Sequence, residues 1–80
     1  MADVRVDEVV DTKGNLCPYN FIYAKQTLHH LEKGKVLKVI VDDPTAVTEV
    51  PRGMEADGHE VLSVKQINKT DWEIIIQKKG

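Results

Sequence analysis

The run Val36-Leu37-Lys38-Val39-Ile40-Val41 is apolar at every position but one. An exposed strand alternates polar and apolar residues, so a nearly continuous apolar run is expected inside a sheet. The strands that flank it must come from the sequence on either side. Upstream, Val4 to Val10 is β-branched and broadly alternating, which predicts a first strand. Its phase is imperfect, because Val9 and Val10 are adjacent and Glu8 falls where an apolar residue is expected. Downstream, Glu60 to Ile67 and Asp71 to Lys78 are two strand patterns joined at Asn68-Lys69-Thr70, which is hairpin spacing.

Two helices fit between these strands. After a turn-rich connection from Asp11 to Leu16 around Gly14, apolar residues recur from Pro18 onward at Phe21, Ala24, Leu28 and Leu31. Spacings of three and four draw one stripe on a helix. Leu28 and Leu31 are expected to face the sheet, and Gly34 is expected to close the helix as a C-cap glycine. Tyr19 and Tyr23 lie on another side, as a half-buried flank or a docking surface, with flank the more ordinary reading. Asp43-Pro44 then reads as an N-cap followed by a first-turn proline. Val47, Val50 and Met54 share a helical face that Pro51 and Gly53 interrupt. The expectation is a loose turn over 44–48 and a short helix over about 49–57, closed by Gly58.

The order is therefore β-α-β-α-β-β. A crossover helix makes the first two strands parallel, and a hairpin makes the last two antiparallel. Two helices cover one face of a four-stranded mixed sheet, so the fold class is an α/β (α+β) two-layer sandwich. Eighty residues are too few to divide a core, so residues 1–80 are expected to form one domain.

Composition excludes several functions. With 41% hydrophobic and 30% charged residues and a net charge of −2, no basic field exists to gather phosphates. Lys33, Lys35 and Lys38 and the pair Lys78-Lys79 read as solvated rims, and one Phe and one Trp make a poor stacking platform, so direct nucleic-acid binding is not expected. No apolar stretch approaches the ~18 residues of a membrane span. Met1 to Val6 does not resemble a signal peptide, and one cysteine makes no internal disulfide, so the expected location is cytoplasmic.

Cys17 is that single cysteine, and it stands directly before Pro18. If Pro18 is the first helical residue, Cys17 is the N-cap, its sulfur among the unpaired N–H groups of the first turn. The positive end of a helix stabilises a thiolate, the nucleophilic form of cysteine. The other reading is a small buried apolar residue. A position between a Gly-Asn turn and a helix start favours the reactive thiol.

Other chemistry finds little support. His29 and His30 are adjacent on a helix and point about 100° apart, and no Cys-x-x-Cys, His-x-x-x-His or acidic cluster joins them or His59, so no metal site is expected. Asp42-Asp43 suggests paired carboxylates, but the capping role of Asp43 explains it more simply. A Cys-His hydrolase needs a deep pocket that two thin layers hardly provide. An exposed, activated thiol without a general base suits transfer of a group between sulfurs on different proteins.

Asp11-x-x-Gly14-x-x-Cys17-Pro18, with Lys25 and Leu28 eight and eleven positions after the cysteine, resembles the TusA-like (SirA-like) sulfur-carrier proteins. The similarity continues through Gly34, Asp43-Pro44, Pro51 and Gly58-His59-Glu60. It implies a sheet order 1-2-4-3 and a persulfide carried on Cys17 without a cofactor. The sulfur would come from a cysteine desulfurase, a rhodanese or another carrier. It would pass to an acceptor relay protein, for tRNA thiolation, cofactor assembly or sulfur oxidation. Gly14, Pro18, Asn20 and Lys25 are the supporting motif positions, with Pro18 shaping the helix start and Lys25 a nearby cation, a contact for a partner's acidic surface, or merely solvated. One position departs from the family's Cys-Pro-x-Pro pattern: its second proline is Asn20, which frees an N–H in the first turn and leaves the docking partner open. The alternative function is a non-catalytic regulatory interaction module in which Cys17 only packs.

Overall fold

The structure, a computed structural model, describes residues 5–16 and 19–79. Six elements follow in the expected order: β1 (Glu8–Asp11), α1 (Tyr19–His29), β2 (Val36–Val41), α2 (Pro44–Ala56), β3 (Glu60–Gln66) and β4 (Trp72–Gln77). The sheet runs β1-β2-β4-β3, with β1 parallel to β2 and the other pairs antiparallel. Both helices start where the parallel strands end and run back over one face. The sheet order implied by the family resemblance is the one observed.

Pleat and register decide what is buried. Leu37, Val39 and Val41 on β2 and Ile74 and Ile76 on β4 point to the helical layer and have no exposed surface. Ala24 and Leu28 of α1, and Ala46, Val50 and Met54 of α2, close over them. On the opposite face Lys38 pairs with Glu73 of β4 at 3.4 Å. Val9 and Val10 divide between the two faces. Val10 lies opposite Val39 and packs on the core, whereas Val9 lies opposite Lys38 and is half exposed. That division accounts for the broken alternation of the first strand. The strand is also shorter and later than 4–10: it covers Glu8–Asp11, and Val4 lies outside the described residues. At the other edge, β3 carries a bulge between Val61 and Ser63.

Two helix boundaries correct the sequence reading. The second helix is not a loose turn and a short helix but one helix, Pro44–Ala56, with Pro51 inside it. A mid-helix proline removes one hydrogen bond and costs about 3 kcal/mol. Burying Ala46, Val50 and Met54, four residues apart on one face, offsets that loss, since fully burying a large apolar side chain is worth roughly 1.5–3 kcal/mol. The Asp43 carboxylate accepts the Thr45 N–H at 3.1 Å and starts the helix as expected. Gly34 does not cap α1, which ends five residues earlier at His29. Instead Gly34, at φ +93°, is the third residue of a turn closed by Lys35 N–H donating to Glu32 C=O at 3.1 Å, a position that needs a left-handed backbone. The end of α1 is capped from elsewhere, by Lys78 Nζ donating to the carbonyls of His29 (3.1 Å) and Leu31 (2.6 Å). Leu31 lies beyond the helix yet still packs against the core.

Gly53 owes its place to packing. A Cβ there would collide with the Phe21 ring of α1, standing 2.9 Å from Cζ, so the glycine lets the helices approach. No helix among the described residues is long and apolar enough to cross a membrane.

Candidate functional site

The connection from β1 to α1 is held tightly by β2. Thr12 is buried, and both its N–H (2.9 Å) and its hydroxyl (2.8 Å) donate to the Ile40 carbonyl. Asn15 returns to the Thr12 carbonyl through its backbone N–H (3.1 Å) and its side-chain amide (3.2 Å). Between them Gly14 takes φ +89°, which a side chain would strain. Its N–H donates to both carboxylate oxygens of Asp42, each at 3.2 Å. Thr12, which sequence reasoning passed over, and Asp42, which it weighed only as one of two paired carboxylates, are the residues that anchor this loop. Asp42 had a signal in its adjacency to Asp43, but its role is to anchor this loop, whereas Asp43 caps α2.

Cys17 and Pro18 lie outside the described residues, so the expected N-cap and the exposure of the thiol are not described. The residues on either side are. Tyr19 N–H donates to the Leu16 carbonyl at 2.8 Å, and the side chains of Leu16 and Tyr19 are 69% and 59% exposed. Ile22 and Tyr23, one turn on, are exposed as well. Tyr19 and Tyr23 are each about half exposed, as a half-buried flank would be, and with Leu16 and Ile22 they leave apolar side chains open to solvent near the start of α1.

Asn20 is fully buried. Its Oδ1 accepts the Phe21 N–H at 2.9 Å, a local bond of the kind that becomes possible without a proline. Its Nδ2 has no hydrogen-bond partner among the described residues. Lys25 lies six residues past Tyr19, about 9 Å along the helix axis. It pairs with Asp57 Oδ2 at 3.2 Å, and its Nζ stands 5.8 Å from the Phe21 ring centroid. It thus ties α1 to the end of α2. His29 and His30 meet edge to face at 6.0 Å at the far end of α1. Among the described residues no three His, Cys, Asp or Glu side chains are grouped to hold a metal ion.

The β3–β4 loop closes the same end of the sheet as the Thr12–Leu16 loop. Asn68 Nδ2 donates to Asp71 Oδ2 at 2.8 Å and holds that carboxyl below its usual value of 3.8. Partial loss of solvent opposes the shift, while the Thr70 hydroxyl and the charge of Lys13 reinforce it.

Comparison with known proteins places the chain in a family. The chain matches the family described as Sulfurtransferase TusA over residues 8–78. It belongs to the TusA family. TusA-family relatives include a protein of Archaeoglobus fulgidus, 43% identical over 76 residues, covering 95% of this chain and 86% of that one. Another, from Thermotoga maritima, is 30% identical over 79 residues and covers 99% of this chain and all of its own. Both are provisionally named sulfur carrier proteins. The crystal structure of a SirA-like protein from Desulfitobacterium hafniense superposes with a TM-score of 0.80 at 26% identity, covering 91% of this chain and 99% of that chain. The TusA fold and the family resemblance read from Asp11 to Glu60 are thereby established.

Proposed function

We propose that this chain is a sulfur carrier that holds sulfane sulfur as a persulfide on Cys17. Membership of the TusA family over residues 8–78, with Cys17-Pro18 in place, carries the reading. The anchored Thr12–Leu16 loop and the exposed apolar residues around it support it, because a relay cysteine must be presented to other proteins in a fixed setting.

Cys17 thiolate attacks the outer sulfur of a persulfide on a donor of the cysteine desulfurase or rhodanese type. The donor's S–S bond breaks, its cysteine leaves as a thiolate, and the sulfur with its proton moves to Cys17. The same exchange passes the sulfur to an acceptor cysteine. The helix N-terminus supplies the electrostatics, Gly14 and Pro18 shape the approach, and the partners supply any acid or base. The reducing cytoplasm suits a lone thiol that must stay free. Tyr19, Ile22 and Tyr23 serve as partner-facing contacts, and Asn20 sets the first turn that those partners meet.

Mass spectrometry after incubation with a cysteine desulfurase and cysteine tests the proposal. Wild-type protein should gain about 32 Da per sulfur, reversibly with a reductant, as expected of a nucleophilic thiolate. Absence of any adduct, with a thiol slow toward iodoacetamide until unfolding, favours the second reading: an interaction module in which Cys17 only packs and the exposed Leu16, Tyr19, Ile22 and Tyr23 bind a partner without sulfur chemistry.

A further inference from the structure

We infer that the cleft where the two helices end is a binding site for a hydrogen-phosphate-type oxyanion, which would make the carrier responsive to a second small ligand. The inference is independent of the persulfide reading. The cleft encloses about 410 Å³ and is lined by Lys25, His29, Asp57, His59 and Lys78. It lies at the opposite end of α1 from Leu16 and Tyr19.

Each side chain is placed by a local rule. Lys25 and His29 are four residues apart on α1 and share a face. The end of α2 is a Schellman motif: His59 N–H donates to Met54 C=O and Gly58 N–H to Glu55 C=O, each at 3.0 Å. That motif turns Asp57 and His59 toward α1. Lys78 follows β4 and reaches across to the carbonyls that end α1. Those carbonyls carry the negative end of the helix dipole, and the ammonium covers them, so an incoming anion meets cationic N–H groups rather than bare oxygens.

The donor and acceptor inventory selects the ligand. Lys25 directs one N–H at Asp57 Oδ2 and Lys78 two at the carbonyls, which leaves two and one N–H groups for a ligand. His59 Nδ1 accepts the Lys79 N–H at 3.2 Å, so neutral His59 carries its proton on Nε2 as a further donor. Two lysines against one aspartate give the side chains of the cleft a surplus positive charge, on a chain whose net charge is −2, that offsets the negative ends of the two helices stopping there. Asp57 supplies the charged acceptor, since no hydrogen bond engages its second oxygen among the described residues. With His29, whose neutral ring adds one donor and one acceptor, five donors face two acceptors, and that mixture fits an oxyanion that still bears a proton. Phosphate at neutral pH keeps a P–OH to donate to Asp57. Sulfate has none and would set an oxygen against the carboxylate.

An NMR titration at constant ionic strength tests this, reading the His29 and His59 ring protons and the Lys25, Asp57 and His59 amides. Inorganic phosphate should give saturable shifts at these residues, and sulfate should bind about tenfold more weakly, the worth of one charge-assisted hydrogen bond at an open site. Asp57→Asn, whose amide donates, should erase the preference. His59→Ala should weaken phosphate about tenfold while leaving the spectrum folded, and it decides the matter if Asp57→Asn does not fold. O-Phosphoserine run in parallel separates the sources: tighter binding than phosphate names a phosphorylated partner, weaker binding the free ion. Shifts that never saturate, or equal affinity for phosphate and sulfate in the wild type, overturn the proposal.

Discussion

Asp42, the first residue after β2, receives the Gly14 N–H on both carboxylate oxygens at 3.2 Å, across 28 residues of chain. This bond fastens the loop that precedes Cys17 to the sheet. Asp42→Ala should lower stability by about 1 kcal/mol, as expected for a lost hydrogen bond at an exposed site. Its distinguishing signature is faster hydrogen exchange at the Gly14 amide than at the strand amides. Unchanged exchange at Gly14 would show that the loop holds its shape without Asp42.

Gly14→Ala tests the same loop through the backbone. No atom obstructs a Cβ at this position, so the cost comes from φ +89° alone. It should be roughly 1–2 kcal/mol, the penalty of left-handed backbone for a residue with a side chain. A denaturation midpoint equal to wild type would mean that the loop relaxes to another conformation.

Leu28→Ala removes a fully buried side chain between helix and sheet. The expected loss is about 2–5 kcal/mol, a large part of the roughly 5–15 kcal/mol that holds an ordinary domain together. Urea unfolding measures it directly, and an unmoved midpoint would contradict the packing of α1.

Gly53→Ala sets two effects against each other. Alanine favours a helix by about 1 kcal/mol over glycine, whereas forcing a methyl into the Phe21 ring costs roughly 1–3 kcal/mol. Because the ring packs against the core, we expect the clash to win and the variant to be less stable. Shortening the partner, as in the double variant Phe21→Leu with Gly53→Ala, should recover part of the loss. Thermal unfolding of the single and double variants separates the terms.

Cys17→Ser is the sharpest test of sulfur transfer. Serine is close in size and caps helices well, so the variant should fold, but without a general base its hydroxyl takes up no sulfur. Asn20→Pro restores the family's second proline and should leave loading nearly unchanged while altering which acceptor is served. Equal loading by wild type and Cys17→Ser would end the persulfide proposal.

Acid should act on the β3–β4 loop through Asp71. The pKa of its carboxyl is lowered in the folded state, first by Asn68, so the ionised form contributes stability above the unfolded value. That contribution is lost as pH falls through the folded pKa, below 3.8. Asn68→Ala should return the titration of Asp71 toward its ordinary value, read from the side-chain carboxyl resonance.

The parts of the molecule legible in the sequence are those governed by local pattern. The apolar run of β2, the Ala24–Leu28 stripe, the Asp43 cap and the hairpin around Asn68 are set by near neighbours, and each was found where expected. The misread parts depend on distant contacts. Pro51 looked like a helix breaker because the sheet that repays its lost bond is invisible in a local window. Gly34 looked like a cap because the Lys78 ammonium that caps α1 comes from 49 residues away. The site divides in the same way: Gly14 and Asn20 stood out through the family motif, whereas Thr12 and Asp42 emerged only when β2 met the loop.

The two borders of the sheet bear on behaviour at high concentration. One border, β1, is only four residues long, and the other, β3, is kinked by its bulge and carries Glu60 and Lys65. Unpaired borders invite other chains to add strands and grow fibres, and short, bulged or charged borders resist that growth. A chain of this fold can therefore be abundant without polymerising, because both of its borders resist added strands.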